Sequence, residues 1–478
     1  VGTTLLDNNR WLVLSSFFLS LLIFTGIGAL SSLSRKSTTE DYLLAGREMP
    51  PWLVALSAVA TLSSGFMFVG QIGLTYRVGL SSMWWLVGWT VGDLLAWLFV
   101  YERLRRLSEE RREISVLALL GTRSDKGRRV LVPLAAGLTV FYLAMYAAAQ
   151  LKAGSTALQS IFGMPASTGA ILGAVVVVIY CYAGGIRASI WTDGAQSLVM
   201  FVSMALLTAV AAARVGGPPE LMAALAEIDP ALAQPLPQKL PLGFGIYLAG
   251  MVFGGLGVVG QPHILVRSMS IRDPRRIRTA RLYYFLWLVP FYVMAIFVGL
   301  YARVLLPDLG GAGTTLASEQ ALPLLSIDLL PDLLIGLMLA GLFSATMSTA
   351  DSQILACTSA VTQDLQPRWS GSYSVSKLTT LAVTATALGI ALGSPAGVFD
   401  LVLDAWAVLS CTLGPLLILR LFDLPCSQRT GVLMIAVGFV ATHLWGMSDY
   451  AGATYVNFPG MAAAFAAWLA ARALHRLR

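Results

Sequence analysis

Ala345-Thr346-Met347-Ser348-Thr349-Ala350-Asp351-Ser352-Gln353 sets hydroxyls, an amide and a carboxylate inside a segment that is otherwise oily. Polar groups at membrane depth are costly unless they pair or line a cavity, so such a cluster points to an ion or solute path. A second irregular stretch, Ala60-Thr61-Leu62-Ser63-Ser64-Gly65, lies far upstream. Small hydroxyl residues beside Gly let a spanning helix unwind and turn its carbonyls toward a cation, as discontinuous helices of secondary transporters do. Hydroxyls in spans also bond helix carbonyls or permit close packing, and from these residues alone both readings stand.

Outward from these stretches the chain remains apolar. Of its 478 residues 57% are hydrophobic and 12% charged, with a mean hydropathy of +0.74, which excludes an ordinary soluble domain. Apolar runs of spanning length predict an all-α polytopic membrane protein of about thirteen transmembrane helices. The runs group as one span at 11–31, five spans within 52–213, five within 244–420 and two within 430–474. Each set of five opens on a segment interrupted by Gly and small polar residues, 57–73 in the first and Gly250 to Gly260 in the second. Paired broken helices at corresponding positions predict an inverted repeat with the binding site between its halves.

The net charge of +7 does not mark a nucleic-acid protein, because the cations sit in alternate loops. One loop carries Arg103, Arg105, Arg106, Arg111, Arg112, Arg123, Lys126, Arg128 and Arg129; another carries Arg267, Arg272, Arg275, Arg276, Arg278 and Arg281; Arg472, Arg476 and Arg478 close the chain. The positive-inside rule makes that side cytoplasmic and puts the N-terminus outside. The linker at 103–129, with its apolar interruption Ile114 to Leu120, reads as an amphipathic helix on the inner surface or as a solvated loop. The loops near 215–243 and 304–330 are acidic and read as external. The first apolar segment reads as a retained span rather than a signal peptide. Cys181, Cys357, Cys411 and Cys426 form no metal-type spacing. No nucleophile–base pair or phosphate loop points to an enzyme.

Several motifs bear on the chemistry: Gly255-Leu256-Gly257, Gly260-Gln261-Pro262-His263-Ile264, Gly184-Gly185 with Trp191-Thr192-Asp193, and Met347-Ser348-Thr349 with Gln353 and Thr362-Gln363-Asp364. At these residues the chain resembles the sodium/solute symporter family, and its bacterial proline symporter branch in particular, over most of its length. The resemblance implies a five-plus-five inverted-repeat core of the amino-acid-transporter type, with one span before it and two after, in the bacterial inner membrane. It implies sodium-coupled import of a small organic solute, an amino acid such as proline or a related compound, by alternating access. The implied sodium site is the backbone oxygens of Ala60, Ser63 and Ala345 with the hydroxyls of Ser348 and Thr349. Asp193 offers a ligand for a second sodium; equally, it suits a helix N-terminus.

Against that pattern, Leu62 stands where the proline branch carries an Asp, and Gly254 and Val258 stand where it carries Trp and Tyr. The exchange at 254 and 258 leaves room for a larger or differently shaped solute. Gln71, Tyr146, Gln150, Val258 and Trp406 are the expected pocket residues; Tyr146 and Gln150, four apart, share a helix face. Lys152 near its helix end reads as a snorkelling cation; it and Asp404 are also expected at similar depth beside the outer vestibule, where a salt bridge or a clamp on the solute would make them a gate or coupling pair. Asp351 is expected toward the cytoplasmic half, to attract the departing ion or hold a basic loop residue. A ligand-sensing module of a signalling protein and proton-coupled or sodium-independent transport are the alternative functions.

Overall fold

The computed structural model describes residues 10–121, 130–307, 309, 315–393 and 398–476. Arg123, Lys126, Arg128, Arg129 and Arg478, read above as cytoplasmic cations, lie outside them. Fifteen helices build the membrane body and its inner edge: α1 (Arg10–Ser31), α2 (Pro51–Gly65), α3 (Ile72–Val78), α4 (Met83–Phe99), α5 (Tyr101–Glu110), α6 (Leu131–Phe162), α7 (Ala166–Val215), α8 (Gly243–Leu256), α9 (Pro262–Met269), α10 (Ile277–Leu305), α11 (Asp332–Ser359), α12 (Tyr373–Gly393), α13 (Val398–Leu421), α14 (Gln428–Gly446) and α15 (Asn457–Arg476). Short helices at Pro218–Ile228 and Ala321–Leu329 occupy the two acidic loops.

Ten segments among the described residues are long and apolar enough to span, against the thirteen expected. The difference comes partly from continuity: Pro51–Glu110 and Ser167–Val215 each run as one segment of 60 and 49 residues, although the backbone breaks inside both. In the first, Ser64 has φ 46 and ψ 177, a conformation that non-glycine residues seldom adopt. In the second, Gly185 has φ 57 and ψ −142, and a Cβ there would stand 2.6 Å from Tyr42 Cδ2, so only glycine fits. Asn457–Arg476 is helical but is not among the ten.

α11 is the central rod. Its residues from Ile335 to Leu355 are almost all buried, and it packs most extensively on α7 and α6, then on α1 and α2. Small residues allow this closeness: a Cβ on Gly336 would meet the backbone of α1, and one on Gly341 would meet Ser203 of α7. Large apolar side chains on α1, α4, α7 and α10 stay exposed, among them Leu22, Phe99, Leu198 and Leu286. An apolar perimeter of that kind is the surface lipid covers.

The linker read at 103–129 is α-helical only as far as the end of α5 and then turns into the body, and its part from 122 to 129 lies outside the described residues. Helix α5 stops at Glu110, and Val116, Leu117, Leu119 and Leu120 are buried in the core. Ser115 Oγ donates to Asp364 Oδ2 at 2.6 Å, tying the segment beneath the body. Burial of four apolar side chains outweighs solvation of the polar residues around them.

Candidate functional site: a cation cradle beside an aromatic cavity

α2 stops being a regular helix at the point the sequence marked. The left-handed Ser64 is followed by a widened turn over Phe66–Gln71 before α3 resumes. Gln150 of α6 steadies the break, its Oε1 accepting from Gly65 N–H at 2.8 Å.

α11 crosses this break. Ser348 Oγ lies 3.2 Å from Ala60 O and 3.2 Å from Ala345 O. Thr349 Oγ1 lies 2.9 Å from Thr61 O and 3.0 Å from Ala345 O. Thr61 Oγ1 is 3.3 Å from Ser348 O and 3.2 Å from Ser352 Oγ. Segments nearly three hundred residues apart thus bring hydroxyl and carbonyl oxygens together with no exposure to solvent beyond 1%. Carbonyls and alcohols are hard, uncharged ligands suited to an alkali cation. Of the five expected oxygens, those of Ala60, Ala345, Ser348 and Thr349 converge. Ser63 is buried nearby in the chain, but its carbonyl accepts from Phe66 N–H, and Thr61 faces Thr349 in its stead. Thr61 and Ser352 were not singled out in the sequence, although both lie inside the quoted stretches.

One turn further along α2, the chain faces a different space. Leu62, Phe66, Met67 and Gln71 line a cavity with Trp85, Leu86 and Trp89 of α4, Tyr146 of α6, Tyr292 of α10, and Val402, Leu403 and Trp406 of α13. Trp85 stacks on Trp89 with ring centroids 5.9 Å apart, and Trp89 meets Trp406 at 5.5 Å. Gln71 is fully buried; its Nε2 reaches Thr75 Oγ1 at 3.3 Å, and its Oε1 has no partner among the described residues. The cavity has room for about one water molecule.

Of the five residues expected to line a solute pocket, Gln71, Tyr146 and Trp406 border this cavity, and Gln150 and Val258 do not. Gln150 is drawn to the freed, buried backbone N–H of Gly65 at the break, and Val258 is packed inside the tight turn Gly257–Gly260 between α8 and α9. The room expected from Gly254 is absent. Trp89 fills it: a Cβ on Gly254 would come within 2.8 Å of the indole, and Trp406 Nε1 donates to Gly254 O at 2.9 Å. Trp85, Trp89 and Tyr292 escaped sequence reasoning because aromatic residues in spans are common at interfaces and carry no spacing signal.

Arg267 was read as a loop cation, and that is wrong. It lies on α9 with 0% exposure. Its Nε donates to Ser57 Oγ at 3.2 Å and its Nη1 to His263 O at 2.6 Å. Nη2 lies 3.1 Å from Ser189 Oγ, 3.2 Å from Asp193 Oδ2 and 3.9 Å from Asp351 Oδ1, and it also contacts Ser352 Oγ. Ser57 Oγ donates to Asp193 Oδ2 at 2.6 Å, and Ser189 Oγ to Asp351 Oδ1 at 3.0 Å. Asp351 thus faces a basic residue, but one on the buried helix α9 and not in a loop. Isolated buried charge is costly, and here the guanidinium and the two carboxyl groups pair with one another and with the hydroxyls of Ser57, Ser189 and Ser352. Of the remaining expected residues, Lys152 is half-buried on α6 and Asp404 is exposed on α13.

Comparison with known proteins agrees with this architecture. The profile of the Sodium:solute symporter family matches residues 42–454. The high-affinity proline transporter PutP of Bacillus subtilis is 30% identical over 447 residues, covering 90% of this chain and 91% of that protein. The sodium/proline symporter of Escherichia coli is 28% identical over 433 residues, covering 88% and 85%. Among solved structures, a Na+-coupled sialic acid symporter in a substrate-bound outward-open state superposes with a TM-score of 0.79 at 20% identity, over 97% of this chain and 98% of that one. Mhp1, a nucleobase-cation-symport-1 family transporter, superposes with a TM-score of 0.58 at 13% identity, over 91% and 94%. At those identities the two structures establish a shared fold.

Proposed function

The chain belongs to the sodium:solute symporter family and is a multi-pass membrane protein that couples sodium to the symport of a small solute, and from that premise we propose which residues carry the two cargoes. Sodium binds between α2 and α11, held by Ala60 O, Ala345 O, Ser348 Oγ and Thr349 Oγ1, with Thr61 O beside them and Ser63 O recruited when the break in α2 opens. The solute is proline or a related small amino acid, taken into the aromatic cavity, where Gln71 Oε1 accepts from its ammonium group. Tyr146, Trp406 and Trp89 cover its apolar part. Residues 52–213 and 244–420 are the two inverted repeats, supported by the paired interruptions at Ser64 and at Gly257–Gly260. The N-terminus faces outward and the C-terminus the cytoplasm of a bacterial inner membrane.

The observation that carries the reading is that one interrupted helix faces both the oxygen cradle and the aromatic cavity. Ala60 and Thr61 turn toward α11, while Leu62, Phe66 and Gln71 turn into the cavity. Sodium that draws Ala60 and Ser348 together fixes the backbone from which the solute-facing residues project. Coupling of this kind is reciprocal, so sodium tightens the solute by the factor with which the solute tightens sodium.

The test is uptake of labelled proline into proteoliposomes under an inward sodium gradient. Ser348→Ala combined with Thr349→Ala abolishes the sodium dependence; unaltered sodium stimulation rejects the assigned site. We further assign Lys152 and Asp404 to the outer gate, so Lys152→Ala changes the apparent solute affinity. Transport kinetics identical to the parent protein remove that assignment.

A further inference from the structure

The chain leaves α5 on a sharp bend, because Arg112 has φ 55, a left-handed conformation that few non-glycine residues adopt. It then runs beneath the body over 113–120 as a strap gripped at two points. Near its start Ser115 Oγ donates to Asp364 Oδ2 at 2.6 Å and accepts from Leu117 N–H at 3.1 Å. At its end Arg420 of α13 donates from Nε to Leu120 O at 3.0 Å. We propose that this strap is the inner gate of the transport path, and that Ser115 on Asp364 is the latch whose release lets sodium and solute leave. The inference rests on the transport reading and orientation given above, and adds the residues that control release.

Three observations support it. First, the strap covers the continuation of the site toward the cytoplasm. Ile114, Val116 and Leu117 of the strap close a cavity against Pro262 and Val266 of α9 and Ser359 of α11. On α11 Ser352, Ala356 and Ser359 follow one another at helical spacing, so a single face of that helix runs from the oxygen cradle into this cavity. The cavity has room for about one water molecule, so the path is shut while the strap is seated. Second, the latch joins distant parts of the fold. Ser115 follows α4 and α5, whereas Asp364 lies 249 residues away at the end of α11, and rocking of one half of the transporter against the other loads the bond between them.

Third, the latch and the cradle share one rod. Asp364 sits on a widened turn, Ala360–Leu365, that continues α11 without a break, and turns of this kind recur at functional positions in helices. The helix that presents Ser348 and Thr349 to α2 therefore presents Asp364 to the strap. Sodium pins α11 on α2 and keeps the latch in register; its departure frees the rod and loosens the strap. A hydrogen bond to a carboxylate is of the strong kind, so removing it is expected to shift the closed-to-open ratio of the gate by about 10- to 150-fold.

The experiment measures alkylation of Ser359→Cys, behind the strap, by a maleimide applied to proteoliposomes from the side of the arginine loops. It uses the full chain with Cys181, Cys357, Cys411 and Cys426 replaced by alanine. With sodium present the latched protein is expected to react slowly. Ser115→Ala and Asp364→Asn should each raise the rate by about tenfold or more, and Ser115→Thr, which keeps the hydroxyl, should restore it. A Ser115→Ala protein that melts like its parent yet reacts within twofold of the parent rate overturns the proposal. A second measurement does not depend on weakening the fold. Ser115→Cys with Asp364→Cys, bridged by a short bifunctional thiol reagent, should stop labelled-proline uptake, and reductive cleavage of the bridge should restore it. Full cross-linking with undiminished uptake refutes the gate. Alkylation that ignores sodium in every protein, beside a cross-link that still stops uptake, refutes the sodium reading and leaves the gate standing.

Discussion

Thr349→Val separates an ion ligand from a packing hydroxyl. The substitution keeps the branched shape and nearly the volume of the side chain while removing the oxygen that lies 2.9 Å from Thr61 O and 3.0 Å from Ala345 O. One hydroxyl proton serves one carbonyl at a time, so without sodium the change forfeits a single net hydrogen bond, about 1 kcal/mol of stability. With sodium present it removes a ligand of a charged partner, worth about 1.5 to 3 kcal/mol, which is roughly a 10- to 150-fold rise in the sodium dissociation constant. The cavity tryptophans Trp85, Trp89 and Trp406 supply an intrinsic fluorescence signal for sodium titration, and thermal unfolding in sodium-free buffer supplies the stability. The expected pattern is a small loss of stability with a large loss of sodium affinity. A protein destabilised by about 1 kcal/mol whose sodium affinity stays within twofold of the parent would mean that Thr349 only staples α11 to α2, and the ion site would have to lie elsewhere.

The Trp89 and Gly254 pairing predicts a size-swap: Gly254→Trp alone should overpack the wall and lose solute affinity, while Trp89→Gly with Gly254→Trp should recover part of it in the same uptake assay. Ser64 holds a left-handed conformation, so Ser64→Val should cost roughly 1 to 3 kcal/mol in thermal unfolding, whereas Ser64→Gly relieves strain and stays near the parent. Gly185→Ala should give little folded protein by size-exclusion chromatography, because its Cβ would strike Tyr42 and its φ of 57 disfavours any side chain. Arg187 is buried between Asp41 at 2.5 Å and Glu48 at 3.0 Å. Asp41→Ala should therefore destabilise by about 3 kcal/mol, and Asp41→Ala with Arg187→Leu by clearly less, since the cost lies in stranding the charge.

Composition and local pattern are enough to fix the solvent and the kind of chemistry. A chain this apolar lives in lipid, where each uncompensated polar group is expensive, so the polar residues it retains mark its purpose. That is why Ser348, Thr349 and the stretch from Ala60 to Gly65 were legible before any coordinates, and why Gln71, Tyr146 and Trp406 could be placed on one pocket. Tertiary structure alone decided the rest. Gln150 serves the freed backbone N–H at the break in α2 rather than the cavity, because an unpaired buried N–H draws the nearest acceptor. Trp89 closes the space that Gly254 left open, a compensation between distant helices that has no linear signature. Arg267 reads as one more cytoplasmic cation in a run of arginines, yet the short helix after the Gly257–Gly260 turn carries it inward to two carboxylates from α7 and α11. Charge can be counted along a chain, but whether it faces water or a buried partner is settled only by how the helices pack.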